Sequence, residues 1–160
     1  MQKIFMVDLD ACTGCRICEV MCSFEKEEAV GPSRARIKIL RLDENGLDVP
    51  VVCQHCESPP CADVCPVHAI VKVEGKGVLL ETERCVGCRA CTLVCPYGAI
   101  QVDAATMKSM KCDTCGGDPT CVRLCPKGAL HYDSPDAVNT LRRHGRMRAV
   151  VKQLLKSMEP

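Results

Sequence analysis

Short β-branched stretches alternating with polar residues at Ile4 to Leu9 and Ile37 to Arg41 predict two short strands. Ala69 to Glu81 reads as strand, turn at Gly75-Lys76-Gly77, and strand again, which is a β-hairpin. Ala99 to Val102 and Ala129 to Tyr132 repeat one motif, a short strand that follows a Cys-Pro pair. Glu19 to Met21 and Thr92 to Val94 each suit a single helical turn, and Glu25 to Ser33 is the longest expected loop. Ser134-Pro135-Asp136 has the form of a helix start, with Ser as N-cap and Pro in the first turn. Met147, Val150, Val151, Leu154, Leu155 and Met158 then recur at helical spacing, with Gly145 as a point of division into two helices. Arg142, Arg143, Arg146, Arg148, Lys152 and Lys156 make this tail basic. No apolar run reaches the length of a membrane-spanning helix.

Composition changes this picture of an ordinary small α+β chain. Its 160 residues include no Trp, two Tyr and two Phe, but sixteen Cys. So few large apolar side chains cannot build a self-sufficient core, and something else must staple the fold. Disulfides would do so in a secreted chain. The stretch Met1 to Asp10, however, carries acidic residues where the apolar run of a signal peptide would continue, so a reducing, cytoplasmic setting is expected. In that setting many cysteines point to metal.

The cysteines form four groups of four: Cys12, Cys15, Cys18, Cys22; Cys53, Cys56, Cys61, Cys65; Cys85, Cys88, Cys91, Cys95; and Cys112, Cys115, Cys121, Cys125. Group three, CVGCRACTLVCP, has the full spacing of a two-cluster ferredoxin run, in which the fourth cysteine serves the other cluster. Three thiolates at C-x2-C-x2-C wrap three corners of a cubane in one tight loop, and Gly14 and Gly87 permit close backbone approach. Groups two and four lengthen the middle spacing to four and five residues, with turns at Pro59-Pro60 and Gly116-Gly117-Asp118-Pro119. Group one has Ser23 in place of the proline.

Zinc is the competing metal, since four sites of four thiolates would also use sixteen cysteines, and groups two and four alone are ambiguous. C-x2-C-x2-C, present twice, packs ligands more densely than the usual zinc pairs. Histidine is not expected as a ligand: His55 and His68 flank the loops in structural or tuning positions, and His131 and His144 fall at surface positions. The formal charge of +1 becomes roughly −7 once sixteen thiolates and four oxidised cubane cores are counted, which disfavours nucleic acid as a partner.

In the order and spacing of these groups the chain resembles the four-cluster ferredoxin-like subunits of anaerobic molybdenum and tungsten oxidoreductases, such as dimethyl sulfoxide reductase and formate dehydrogenase, and of some hydrogenases. Pro50 to Pro66, PVVCQHCESPPCADVCP, is similar to the second motif of that family. CSFEKEEAVGPSRARI resembles the small subunits that accompany tungsten aldehyde oxidoreductases. The resemblance implies four [4Fe–4S] clusters in two interleaved ferredoxin-like lobes. One lobe spans 1–52 and 100–133, the other is an insertion over 53–99, and 134–160 is the helical tail. It further implies the ligand sets Cys12, Cys15, Cys18, Cys125; Cys112, Cys115, Cys121, Cys22; Cys53, Cys56, Cys61, Cys95; and Cys85, Cys88, Cys91, Cys65.

No dinucleotide fingerprint is present, because Gly75-Lys76-Gly77 lacks the third glycine, and the sequence offers no nucleophile–base constellation. The expected role is therefore non-catalytic: single-electron relay between a tungsten- or molybdenum-containing catalytic subunit and a further redox partner. A free polyferredoxin carrier and the iron–sulfur subunit of a formate dehydrogenase or hydrogenase complex are the alternatives.

Overall fold

The computed structural model describes residues 3–42 and 46–157. These form a small α+β fold of short antiparallel strand pairs and five α-helices among the described residues. β1 (Ile4–Val7) pairs with β8 (Leu130–Asp133), so the two ends of the cysteine-rich region close on each other. Phe5, 1 % exposed, stands opposite Tyr132 in this register, with ring centroids 4.7 Å apart. β4 (Ile70–Val73) and β5 (Gly77–Leu80) form the expected hairpin. β6 (Gln101–Val102) and β7 (Ser109–Met110) form a shorter one.

β2 (Lys38–Leu42) has a partner the residue pattern did not predict, β3 (Leu47–Val51). Its Pro50 reads as a strand breaker. Pro50 stands opposite Ile39, whose amide donates to the Glu19 carboxylate instead, so the pairing asks no N–H of Pro50.

α1 (Ile17–Glu27) is far longer than the single turn expected between Cys18 and Cys22, and it takes the first three residues of the expected Glu25 to Ser33 loop. The missing proline explains this. Ser23 continues the helix, donating to Val20 O at 2.8 Å, and its hydroxyl accepts from Gly31 N at 3.2 Å to fold the following loop back. Where Cys-Pro is present the helices stay short: α2 (Pro60–Asp63), α3 (Ala90–Val94) and α4 (Thr120–Arg123).

α5 (Pro135–Ser157) starts as predicted, with Ser134 Oγ accepting from Ala137 N at 3.3 Å. It is not divided at Gly145. A helical glycine costs about 1 kcal/mol relative to alanine, which weakens a helix without breaking it. Val138 is fully buried against the body, whereas Met147, Val150, Val151, Leu154 and Leu155 are exposed. Met158 of the expected apolar stripe lies outside the described residues, as do the side chains of Lys152 and Lys156.

Cysteine replaces aromatic bulk in the interior. Cys18, Cys22, Cys53, Cys112 and Cys121 pack with Phe5, Ile37, Ile39, Val52 and Leu130, and Cys61 and Cys91 with Ile70, Val78 and Ile100. α1 packs on α4, and α2 on α3, which brings group one to group four and group two to group three.

Candidate metal centres

All sixteen cysteines are free thiols, and they surround four cavities. Cys12, Cys15, Cys18 and Cys125 line one; Cys22, Cys112, Cys115 and Cys121 line the second. Cys53, Cys56, Cys61 and Cys95 line the third, and Cys65, Cys85, Cys88 and Cys91 the fourth. Three cysteines of each cavity come from one group and the remaining one from the group whose helix packs against it. Each cavity is thus a cradle of four thiols. Among the described residues no histidine lines them.

Local backbone geometry explains how each loop wraps its cavity. The residue before the second cysteine is left-handed in every group: Gly14 at φ 63°, His55 at 47°, Gly87 at 72° and Thr114 at 60°. Gly87 has a second constraint, because a Cβ there would stand 2.5 Å from the Met107 carbonyl oxygen. Arg16 and Arg89, one residue past the second cysteine, are also left-handed and begin α1 and α3. The fourth cysteines share a device as well. After each Cys-Pro the chain turns so that an alanine amide donates to the thiol: Ala69 to Cys65 at 3.2 Å, Ala99 to Cys95 at 3.4 Å, and Ala129 to Cys125 at 3.2 Å. Cys22, without that proline, receives Arg36 N at 3.2 Å.

Further donors reach Cys53 from His55 N, Cys112 from Thr114 N and Cys85 from Ser109 N, while the Ser109 hydroxyl is 3.2 Å from Cys91. Such N–H···S contacts favour the thiolate. Burial acts oppositely: it pushes the thiols of Cys18 and Cys112 up to about 12 and that of Cys61 to about 11. Cys121 is raised by burial and then by neighbouring Cys112 and Cys22. In the second cavity burial raises Cys22, Cys112 and Cys121 alike, and such thiols do not ionise together in an apolar cradle unless a positive core compensates them. The donor set therefore fits an iron–sulfur core. Among the described residues no three His, Cys, Asp or Glu side chains converge as ligands of a single metal ion would.

Residues that spacing alone left unassigned complete the surroundings. Glu19, 2 % exposed, accepts from Ile39 N at 2.9 Å and joins α1 to β2. Lys26 reaches Asp113 at 2.8 Å and ties α1 to the group-four loop. Burial would raise the Asp113 carboxyl, but the Lys26 hydrogen bond and the Cys115 amide hold it below its ordinary value. Lys111, 6 % exposed, donates to the carbonyls of Val78 and Cys112. Aligning the four groups would have singled out three positions: His55 and Thr114 stand where groups one and three have glycine, and Lys111 where group two has the buried Val52.

Residues 45–135 match the 4Fe-4S dicluster domain family, a span that holds groups two, three and four. Among relatives, the polyferredoxin-like subunit of the aliphatic sulfonate oxidoreductase of Pyrococcus furiosus is 39% identical over 89 residues, 55% of this chain and 51% of that protein. A tetrathionate reductase subunit of Archaeoglobus fulgidus is 36% identical over 90 residues, 56% of this chain and 44% of that protein. The chain thus matches about half the length of these relatives. Among solved structures, a chain of the BamBC active site complex of benzoyl coenzyme A reductase is 25% identical with a TM-score of 0.50, over 98% of this chain and 90% of that one. No helix among the described residues is long and apolar enough to cross a membrane.

Proposed function

Because the chain belongs to the 4Fe-4S dicluster domain family, we propose that it is the electron-relaying, non-catalytic subunit of an oxidoreductase complex. The observation that carries this reading is the arrangement of sixteen thiols around four similar cavities. Cys12, Cys15, Cys18 and Cys125 hold one [4Fe–4S] cluster, and Cys112, Cys115, Cys121 and Cys22 the second. Cys53, Cys56, Cys61 and Cys95 hold the third, and Cys85, Cys88, Cys91 and Cys65 the fourth. When bound, such clusters supply one-electron carriers. The protein supplies the thiolates, the amide donors to sulfur and an apolar surround that limits water.

The paired helices α1–α4 and α2–α3 support two interleaved lobes, with groups two and three in the inserted one. β7 belongs with the inserted lobe in this reading, since Ser109 meets Cys85 and Cys91. Contacts between cavities also support an order along the wire. Cys121 feels the charge of Cys18, and Cys112 that of Cys53. The cluster of groups one and four centred on Cys112 therefore stands between the one centred on Cys12 and the one centred on Cys53, with the Cys85 cluster at the far end.

The structural likeness to a chain of an active site complex, and relatives named as subunits of reductases, support a place beside a catalytic subunit. The exposed apolar face of α5 is the element proposed to dock there, and a tungsten aldehyde oxidoreductase type of partner remains the preferred identity. The test is anaerobic reductive titration of the native protein together with its co-purifying proteins. About four electrons taken up and returned per chain, with a co-eluting redox enzyme, is the expected result. A chain that takes up no electrons, or one that purifies alone and needs no α5 to be oxidised, contradicts the reading.

A further inference from the structure

Lys111 is a buried cation. It is 6 % exposed, and its ammonium donates to Val78 O on β5 and to Cys112 O at 3.2 Å. Its side chain lines the cavity of Cys53, Cys56, Cys61 and Cys95, and through Cys112 it adjoins the cavity of Cys22, Cys112, Cys115 and Cys121. Both acceptors are neutral carbonyls, so the hydrogen bonds hold the ammonium in place without cancelling its charge. An uncompensated buried cation is costly, and one kept between two anionic sites is compensated by them.

We infer that Lys111 is a fixed positive charge at the junction of the two lobes that raises the reduction potentials of the two inner clusters above those of the outer pair. The inference rests on the four-cluster reading. Each reduction adds one electron, and so one negative charge, to a site, and a cation held nearby stabilises the reduced form by Coulomb attraction. Little water is present to screen it, because Lys111, Cys53, Cys61, Cys112 and Cys121 are all buried. The effect falls off with distance, so the outer sites, around Cys12 and Cys85, feel it least. A relay with two easily reduced central stations holds electrons inside the protein and releases them toward either end.

The test uses the full chain, loaded with clusters, in three forms: Lys111→Gln, Lys111→Met and Lys111→Arg. Lys111→Gln keeps a donor for the two carbonyls while removing the charge. Iron is measured first, then all midpoint potentials by redox titration followed by electron paramagnetic resonance. In the neutral variants two of the four potentials are expected to fall by a factor of about ten in the reduction equilibrium, about 59 mV for one electron. The other two stay in place, and Lys111→Arg restores the wild-type values. Unchanged potentials in a fully loaded neutral variant overturn the inference, as does an equal fall in all four. Iron lost in Lys111→Gln but retained in Lys111→Arg would make the charge a requirement of assembly, which also overturns it. Failure of the wild-type chain to bind iron is a separate result and strikes the four-cluster reading.

Discussion

The amide of Val78 donates to Nδ1 of His55 at 3.0 Å, and the carbonyl of the same residue accepts from Lys111. One residue of β5 thus joins the group-two loop to the segment that enters group four. Burial, assisted by the Lys111 charge, lowers the His55 pKa to about 4, so the imidazole is neutral, accepts at Nδ1 and carries its proton on Nε2. Gly77 makes room for it, since a Cβ there would stand 2.6 Å from Nδ1.

His55→Leu is predicted to leave the Val78 amide without its acceptor and to force a branched residue into a left-handed position. The expected loss is about 1–3 kcal/mol of stability. His55→Asn tolerates that backbone and offers an oxygen, so it should lose less. Anaerobic denaturant titrations of the loaded protein compare the two, and equal losses would remove the hydrogen bond from the account.

Gly87→Ala meets two obstacles, the φ of 72° and the Met107 carbonyl. Backbone cannot swing aside as a flexible side chain can. The loop holding Cys85 and Cys88 should therefore shift against β7, lowering stability by roughly 1–3 kcal/mol. Loss of about four irons of the full complement is expected on dilution in chelator. Full iron retention at wild-type stability would show that the close approach is not required.

Glu19→Ala removes the acceptor of the Ile39 amide on the strand opposite Pro50. A buried donor left unpaired costs about 1–3 kcal/mol. Glu19→Gln retains an acceptor oxygen and should be milder. Hydrogen exchange at Ile39 reads this directly: it accelerates in Glu19→Ala and stays slow in Glu19→Gln.

Removing iron with an anaerobic chelator should unfold the body rather than empty it. Seven of the residues in the two core clusters named above are cysteines, and without a metal core they leave cavities lined by thiols. Circular dichroism and visible absorption are expected to fall together. A stripped chain that keeps its native spectrum would contradict a metal-dependent core.

The cysteine groups, the β4–β5 hairpin, the short strands after Cys-Pro and the start of α5 were all legible, because each depends on nearby residues. What escaped depends on distant ones. β3 contains Pro50, which reads as a breaker until Ile39 is seen donating to Glu19. α1 outruns its expected turn because Ser23 stands where the other groups have proline, and its hydroxyl serves both the helix and Gly31. Gly145 looked like a break, but one glycine costs too little to interrupt a helix of 23 residues. Lys111 reads as exposed from its neighbours, since a lysine beside a cysteine is ordinarily exposed; its match with the buried Val52 of group two is the one hint in the sequence, and the fold shows it buried and bonded to Val78.

The central claim is that sixteen cysteines hold four iron–sulfur cores. Iron and acid-labile sulfide measured on the anaerobically purified native chain test it most directly. The account predicts about sixteen of each per chain, with a broad brown visible absorption. A colourless protein carrying about four zinc ions and no sulfide would contradict it.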